Sequence, residues 1–372
     1  MNILYLTNHL NIGGITSYVL SLAKGLKKRG HHVYIASFGG GLLSRFIEEG
    51  IIYISIPINT KSEISPKILV SMFILSIVIK QDNIDIVHSN SRTTQVLGCL
   101  LSNLTHTPHI WTCHGFFKKR LSRRLFPCWG NKVIAISESV KEHLLNDFKV
   151  EEKDIRVIYN GIDVEKSKIP ASPAGRKNQK SKIDTKKSFG LGDGPVIGII
   201  ARLSEEKGHI YLIKAMKVVI DEVPEAQLLI VGEGRMKKEL VNLSSCLGIE
   251  KSVFFIPSVA DTQEVLSIMD LFVLPSLKEG LGLSLMEAMA EGLAVIGSDV
   301  GGIRSLIQNG YNGLLVKSAD SQGLSSAILE LLRDAEKRTF LGNNARNFIT
   351  ENFSQEKMVL QTEEVYSECL PR

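Results

Sequence analysis

The chain has 372 residues, 44% of them hydrophobic, with a mean hydropathy of +0.09; that is too long for one comfortable core, about right for two domains, and unlike a disordered or membrane-embedded chain. The net charge of +5 hides an asymmetry, because residues 1–190 carry 27 Lys+Arg against 14 Asp+Glu while the remainder carries 17 against 25, so the first half is expected to face something acidic: a membrane surface, nucleic acid or a phosphorylated substrate. Five cysteines with no C-x-x-C pair suggest neither a disulfide framework nor a zinc site, and fit a reducing cytoplasm.

From the start, Met1–Leu6 has no basic leader and runs straight into Thr7, Asn8 and His9, so no secretory signal is expected. Ile3–Thr7 is the first of six β-rich runs, followed by Val33–Ser37, Ile51–Ile56, Ile84–His88, His109–Cys113 and Val133–Ile136. Helical stretches alternate with them, the pattern of a doubly wound α/β domain. Gly13-Gly14-Ile15 opens a helix reaching about Arg29, and its two glycines suit either a nest of backbone N–H groups or an ordinary tight turn. The longest apolar run, Ile68–Ile79, is interrupted by Ser71 and Ser76; it falls short of the roughly 20 residues a bilayer span needs and is expected as a buried helix. His114-Gly115 follows the fifth run, at the carboxyl rim of the sheet, where a lone histidine is usually structural.

Phe116–Trp129 interleaves Lys118, Lys119, Arg120, Arg123 and Arg124 with Phe116, Phe117, Leu121, Leu125 and Phe126. Such a basic amphipathic helix can lie on anionic lipid or meet a lipid-linked phosphate, and it also fits a helix with a solvated basic face. No recognition motif for nucleic acid accompanies the charge. After Asn160-Gly161-Ile162-Asp163 the alternation stops, which closes an N-terminal domain over 1–165, and the basic, proline-broken stretch 166–190 is expected as a linker.

The alternation resumes with Val196–Ala201, Gln227–Val231, Val253–Ile256, Leu271–Leu274, Ala294–Ile296 and Gly313–Val316, a second Rossmann-like domain over 191–354. Residues 355–372 are expected to form a helix packing back on the first domain. Two doubly wound domains joined by a hinge leave a deep cleft lined by the loops that follow the strands. Arg202 ends one strand and Lys207-Gly208 opens the next helix, a forked and a point-like cation suited to a pyrophosphate or to a surface ion-pair loop with Glu205 and Glu206. Gly232-x-Gly234 after the following strand lacks the third glycine of a dinucleotide fingerprint, since Lys237 stands there.

The segment Pro275–Glu287 is the most informative. A strand ends, a loop with Gly280 and Gly282 follows, and a helix starts near Gly282 with Leu283, Met286, Met289 and Ala290 on its buried stripe. A diphosphate could sit over Gly282 and Leu283, on the free N–H groups of the helix, with Glu279 and Glu287 on either side. A carboxylate one turn into the helix can accept two hydrogen bonds from a ribose diol, and one in the loop can reach a sugar hydroxyl. Taken alone, the segment also fits an ordinary strand-to-helix turn with Glu287 as a solvated charge.

The E-x7-E spacing of Glu279 and Glu287 within EGLGLSLME, the upstream Pro275-Ser276, and R-x4-K-G at Arg202 and Lys207 resemble glycosyltransferase family 4 (group 1), retaining enzymes of the GT-B fold. Gly13-Gly14, Asp85–Ser89, His114, Asn160–Asp163, Val231–Gly234 and Gly301-Gly302 extend the resemblance over nearly the whole chain. It implies that Arg202 and Lys207 clamp the donor diphosphate, Glu287 binds the ribose, and Glu279 contacts the transferred sugar. It places Gly13 and Gly14 beside donor phosphate and acceptor, makes His114 a sugar contact important for catalysis, and completes the donor site with Gly232, Gly280, Leu281, Gly282 and Leu283.

Ala294, Ser305 and Pro257 depart from the family pattern, which has proline, glutamate and glycine there, and none of them touches the phosphate clamp. With no D-x-D and no H-E-x-x-H, no metal and no cofactor are expected; the helix dipole, Arg202 and Lys207 would replace the cation. The resemblance implies sugar transfer from a UDP- or GDP-sugar to a glycan or lipid-linked acceptor in cell-surface polysaccharide or glycolipid assembly. The enzyme would be cytoplasmic, with peripheral membrane contact through residues 116–129. A nucleotide-sugar epimerase of the same fold and a non-catalytic sugar-nucleotide-binding subunit are the competing readings.

Overall fold

The β-rich runs become two wholly parallel sheets in the computed structural model, which describes residues 1–119, 123, 126–163, 182 and 184–370. One unit comprises Met1–Gly161 with Gln355–Arg372, the other Ile162–Ser354.

In the first unit, strands β1 (Asn2–Leu6), β2 (His32–Ser37), β3 (Ile52–Ser55), β4 (Ile86–Ser89), β5 (His109–Cys113), β6 (Lys132–Ala135) and β7 (Ile155–Val157) lie in the order β3-β2-β1-β4-β5-β6-β7. The order reverses between β1 and β4, a topological switch point. Helices α1 (Gly14–Lys28), α2 (Leu43–Glu48), α3 (Pro66–Gln81), α4 (Arg92–Thr105) and α5 (Glu138–Phe148) alternate with the strands. Strand β5 is buried along its whole length, as a strand covered on both faces must be. Helix α1 buries Tyr18, Val19, Leu22, Ala23 and Leu26 at helical spacing, and Lys27 and Lys28 in its last turn complement the dipole.

Helix α3 corrects an expectation. It buries Ile68, Ser71, Leu75 and Ile79, while Leu69, Val70, Phe73 and Ile77 are exposed. A sheet buries one side of a helix whatever the other side carries; a run that is apolar all round gives no signal of which face turns outward. Of the basic helix expected over 116–129, residues 120–122, 124 and 125 lie outside the described residues; Lys118 and Lys119 are exposed, and Phe116 meets the His143 ring edge-on at 5.3 Å.

The second unit orders its strands β10-β9-β8-β11-β12-β13, from β8 (Val196–Ile200), β9 (Gln227–Val231), β10 (Val253–Ile256), β11 (Leu271–Leu274), β12 (Ala294–Ser298) and β13 (Leu314–Val316). Helices α6 (His209–Glu222), α7 (Lys237–Cys246), α8 (Gln263–Ser267), α9 (Leu283–Ala290), α10 (Ile303–Leu306), α11 (Ser321–Arg333) and α12 (Ala335–Asn352) complete it. The switch point lies between β8 and β11. Of the expected linker, 166–181 and 183 lie outside the described residues, as do 164 and 165 before it, but 184–188 are helical and buried Lys186 donates to the Gly194 carbonyl at 2.9 Å, so this end of the stretch is built into the second unit. The last helix, α13 (Gln355–Cys369), belongs to the first unit, where Met358, Val359, Val365 and Tyr366 enter the core against α1 and β1.

Candidate active site

In the second unit the two loops flanking the switch point leave the carboxyl ends of β8 and β11, where open α/β sheets hold ligands. They are stitched together by the Leu277 amide, which donates to the Glu206 carbonyl at 2.8 Å, and the loop after the fifth strand of this sheet joins them where the Gly302 amide donates to the Glu279 carbonyl at 2.9 Å. Gly208 has φ +70°, and a Cβ there would stand 1.9 Å from the Pro275 carbonyl oxygen. Only glycine lets α6 start so close to the second loop. Gly282, at φ +100°, caps α9 without a side chain, so no side chain fills the N–H groups of the first turn.

Around this helix start stand the charges. Lys207 Nζ lies 2.5 Å from Glu279 Oε2, with the two side chains 23% and 11% exposed, and Ser276 Oγ donates to the same oxygen at 3.1 Å. Arg202 is exposed and forms no ion pair among the described residues. One turn into α9, burial raises the Glu287 carboxyl to about 7; Asp261 and Glu291 push it the same way, and the Thr262 hydrogen bond opposes them. Leu283 is half-buried, while Gly280 and Leu281 are buried beneath Gly302, where a Cβ would meet the Gly280 carbonyl oxygen at 2.1 Å. Gly232 has a packing reason of its own, since a Cβ there would stand 2.1 Å from the Ala201 carbonyl oxygen.

His209, beside Lys207, carries no motif signal in the sequence. Its ring is buried with both nitrogens unpartnered, and burial together with Lys207 lowers it to about 4.

In the first unit, Gly13 caps α1, Gly14 begins it, and a Cβ on Gly13 would meet nothing within 4 Å. No side chain fills this helix start either. His114 follows β5; its Nε2 lies 3.1 Å from Asn90 Oδ1 and its ring stands edge-on to Tyr18 at 4.8 Å. Burial lowers the imidazole to about 3, so it is neutral near pH 7. Neutral and donating through Nε2, it keeps a lone pair on Nδ1. Asn90, at the carboxyl end of β4, is buried with its Nδ2 unpartnered; its only signal in the sequence is a polar residue closing a central strand.

Behind His114 runs a buried chain of hydrogen bonds. Tyr18 Oη lies 3.2 Å from Thr112 Oγ1, Thr112 Oγ1 2.7 Å from His88 Nε2, His88 Nδ1 2.6 Å from Tyr366 Oη, and Tyr366 Oη 2.6 Å from Tyr5 Oη. Burial first, then His114 and His109, hold His88 well below its ordinary pKa. Among the described residues no group of three or more His, Cys, Asp and Glu side chains is placed to hold a metal ion.

Known proteins resemble this chain over most of its length. Residues 181–348 match the family described as glycosyl transferases group 1, and residues 12–166 match Glycosyltransferase Family 4. The UDP-Gal:alpha-D-GlcNAc-diphosphoundecaprenol alpha-1,3-galactosyltransferase of Escherichia coli is 28% identical over 88% of this chain and 86% of its own. The N-acetyl-alpha-D-glucosaminyl L-malate synthase of Bacillus anthracis is also 28% identical, over 98% of this chain and 96% of its own. Among solved structures, Anabaena HepE in complex with UDP-glucose superposes with a TM-score of 0.86 at 23% identity, covering 99% of this chain and 100% of that one, a likeness of fold.

Proposed function

The chain belongs to the group 1 glycosyltransferases of the GT-B fold, and we propose that it transfers a sugar from a UDP- or GDP-sugar to a glycan or lipid-linked acceptor, with retention of anomeric configuration and without a metal. The observation that carries the reading is the meeting of Lys207 and Glu279 beside the uncapped start of α9, at the switch point of the second sheet. A lysine amine, a set of backbone amides and an exposed Arg202 suit a diphosphate. The E. coli relative, named for UDP-Gal and a diphosphoundecaprenol acceptor, supports a uridine donor and a lipid-linked acceptor.

Breaking the anomeric bond builds negative charge on the leaving phosphate and positive charge on the ring. Fixed cations and amides aimed at that phosphate lower the barrier directly. Lys207 exchanges its Glu279 partner for the phosphate, which frees Glu279 for a sugar hydroxyl. Glu287, ionised, accepts the ribose diol, and neutral His114 offers Nδ1 to the sugar. In same-face attack the acceptor oxygen bonds to the anomeric carbon as the bond to phosphate breaks, and the hydroxyl proton passes to the departing phosphate.

Calorimetric titration with UDP and GDP, followed by transfer kinetics of Lys207→Ala and Glu287→Ala, tests this. Binding of one nucleotide and collapse of transfer in both variants are expected; near-normal transfer in both overturns the clamp.

A further inference from the structure

Helix α3 is apolar on every side yet covered on only one. Ile68, Ser71, Leu75 and Ile79 face the core, and Leu69, Val70, Phe73 and Ile77 on the other face are 58%, 52%, 68% and 44% exposed. At 3.6 residues per turn these four fall within an arc of about 100°, one continuous stripe. Just before the helix, Ile64 is 92% exposed. Single exposed apolar side chains are ordinary, whereas a contiguous stripe ending in such a residue marks an interaction surface.

The charges around the stripe select its occupant. Lys61, Lys67 and Lys80 are exposed along it, and α3 itself contains no Asp or Glu. Glu63 is spent on Arg92, whose Nη2 lies 3.0 Å from its Oε2; Asp82 follows the helix end. The same Arg92 Nη2 donates to the Phe126 carbonyl at 2.7 Å, which ties the end of the basic segment to the entry of α3. Phe126, itself 67% exposed, adds a further apolar side chain there. A second copy of this chain would set basic rim against basic rim. An anionic lipid surface satisfies both features at once, taking the stripe into the acyl boundary and the lysines onto the headgroups. No helix of the described residues is long and apolar enough to cross a membrane, so the mode is a helix lying in the interface.

We propose that the outer face of α3, with Ile64 and Phe126, is a membrane-docking surface for anionic phospholipid, and that the contact expected of residues 116–129 is centred on this helix. The proposal goes beyond the transfer reaction and does not depend on it.

Flotation of the full chain with vesicles of phosphatidylglycerol and phosphatidylcholine, against phosphatidylcholine alone, tests it. The unaltered chain should float with the anionic vesicles, and the double variant Val70→Ser with Phe73→Ser should lose at least about tenfold in partition coefficient. Lys67→Glu with Lys80→Glu should weaken binding and abolish its preference for phosphatidylglycerol. All four side chains are exposed, and a thermal melt checks that the variants stay folded. The proposal is overturned if the unaltered chain floats with neither vesicle, or if the serine variant floats as well as the unaltered chain. It is also overturned if sedimentation shows a dimer that the serine changes dissociate without any vesicle binding, which would assign the stripe to a second copy.

Discussion

Lys207 Nζ lies 2.5 Å from Glu279 Oε2, although the two residues are 72 positions apart in the chain. The carboxylate occupies the amine that a diphosphate would need, and it adds a like charge to the anion's neighbourhood. Glu279→Gln should therefore tighten UDP binding by about 2–10-fold, while transfer from the sugar nucleotide falls on the order of 100-fold as the sugar contact is lost. Titration with UDP and steady-state transfer rates check the two halves separately. Weaker UDP binding in the variant would mean that Glu279 supports the diphosphate rather than competing with it.

Glu287 links stability and donor binding with opposite signs. Its folded pKa of about 7 stands above the ordinary 4.5, so between those values the folded state holds a proton that the unfolded chain has lost. Stability contributed by that proton is complete below about pH 4.5 and falls as pH rises toward 7. The ribose diol needs the ionised carboxylate, so donor affinity should rise from pH 6 to pH 8. His114, pushed down to about 3, adds no titration near neutrality. Glu287→Gln should raise the unfolding free energy by on the order of 1–3 kcal/mol at pH 8, with the gain shrinking toward pH 4, and should flatten the pH dependence of nucleotide-sugar affinity. A gain in melting temperature equal at pH 5 and pH 8 would rule out the buried carboxylate as its source.

Two glycines from different motifs should respond differently. Gly208 sits at φ +70° with a backbone oxygen 1.9 Å from where a Cβ would be, whereas a Cβ on Gly13 meets nothing. Gly208→Ala should lose on the order of 2–4 kcal/mol in urea unfolding, and Gly13→Ala should stay within about 0.5 kcal/mol of the unaltered chain. If Gly13 faces a ligand, its alanine variant should still lose transfer activity. Normal kinetics in a stable Gly13→Ala chain would reduce this glycine to an ordinary turn.

Much of this was legible from local pattern. Twelve strands announce themselves as β-rich runs; β7, three residues long after a charged turn, does not. The helix starts at Gly14 and Leu283 follow from glycines in the loops after strands. Long-range facts leave no local trace: that Lys207 meets Glu279, that Asn90 holds His114, or that Gly232 is required by the Ala201 carbonyl. The outward face of α3 was illegible for a different reason. Its hydrophobicity has no direction, so only packing decides which side chains face solvent.

The buried network behind His114 offers the sharpest test of how the final helix serves the first unit. Tyr366 Oη, on α13, is shared between Tyr5 Oη and His88 Nδ1, each at 2.6 Å. A neutral imidazole has one donor and one acceptor, so of the Tyr366 hydroxyl and Thr112 Oγ1 on the two sides of His88 one accepts from the ring and the other donates to it. Tyr366→Phe strands both His88 Nδ1 and the Tyr5 hydroxyl in the core and should cost about 1–3 kcal/mol. Tyr5→Phe leaves Tyr366 bonded to His88 and should cost less. In the double variant no Tyr5 hydroxyl is left to be stranded, so the combined loss in urea unfolding should be smaller than the two single losses together. Strictly additive losses would mean that the two hydroxyls act independently.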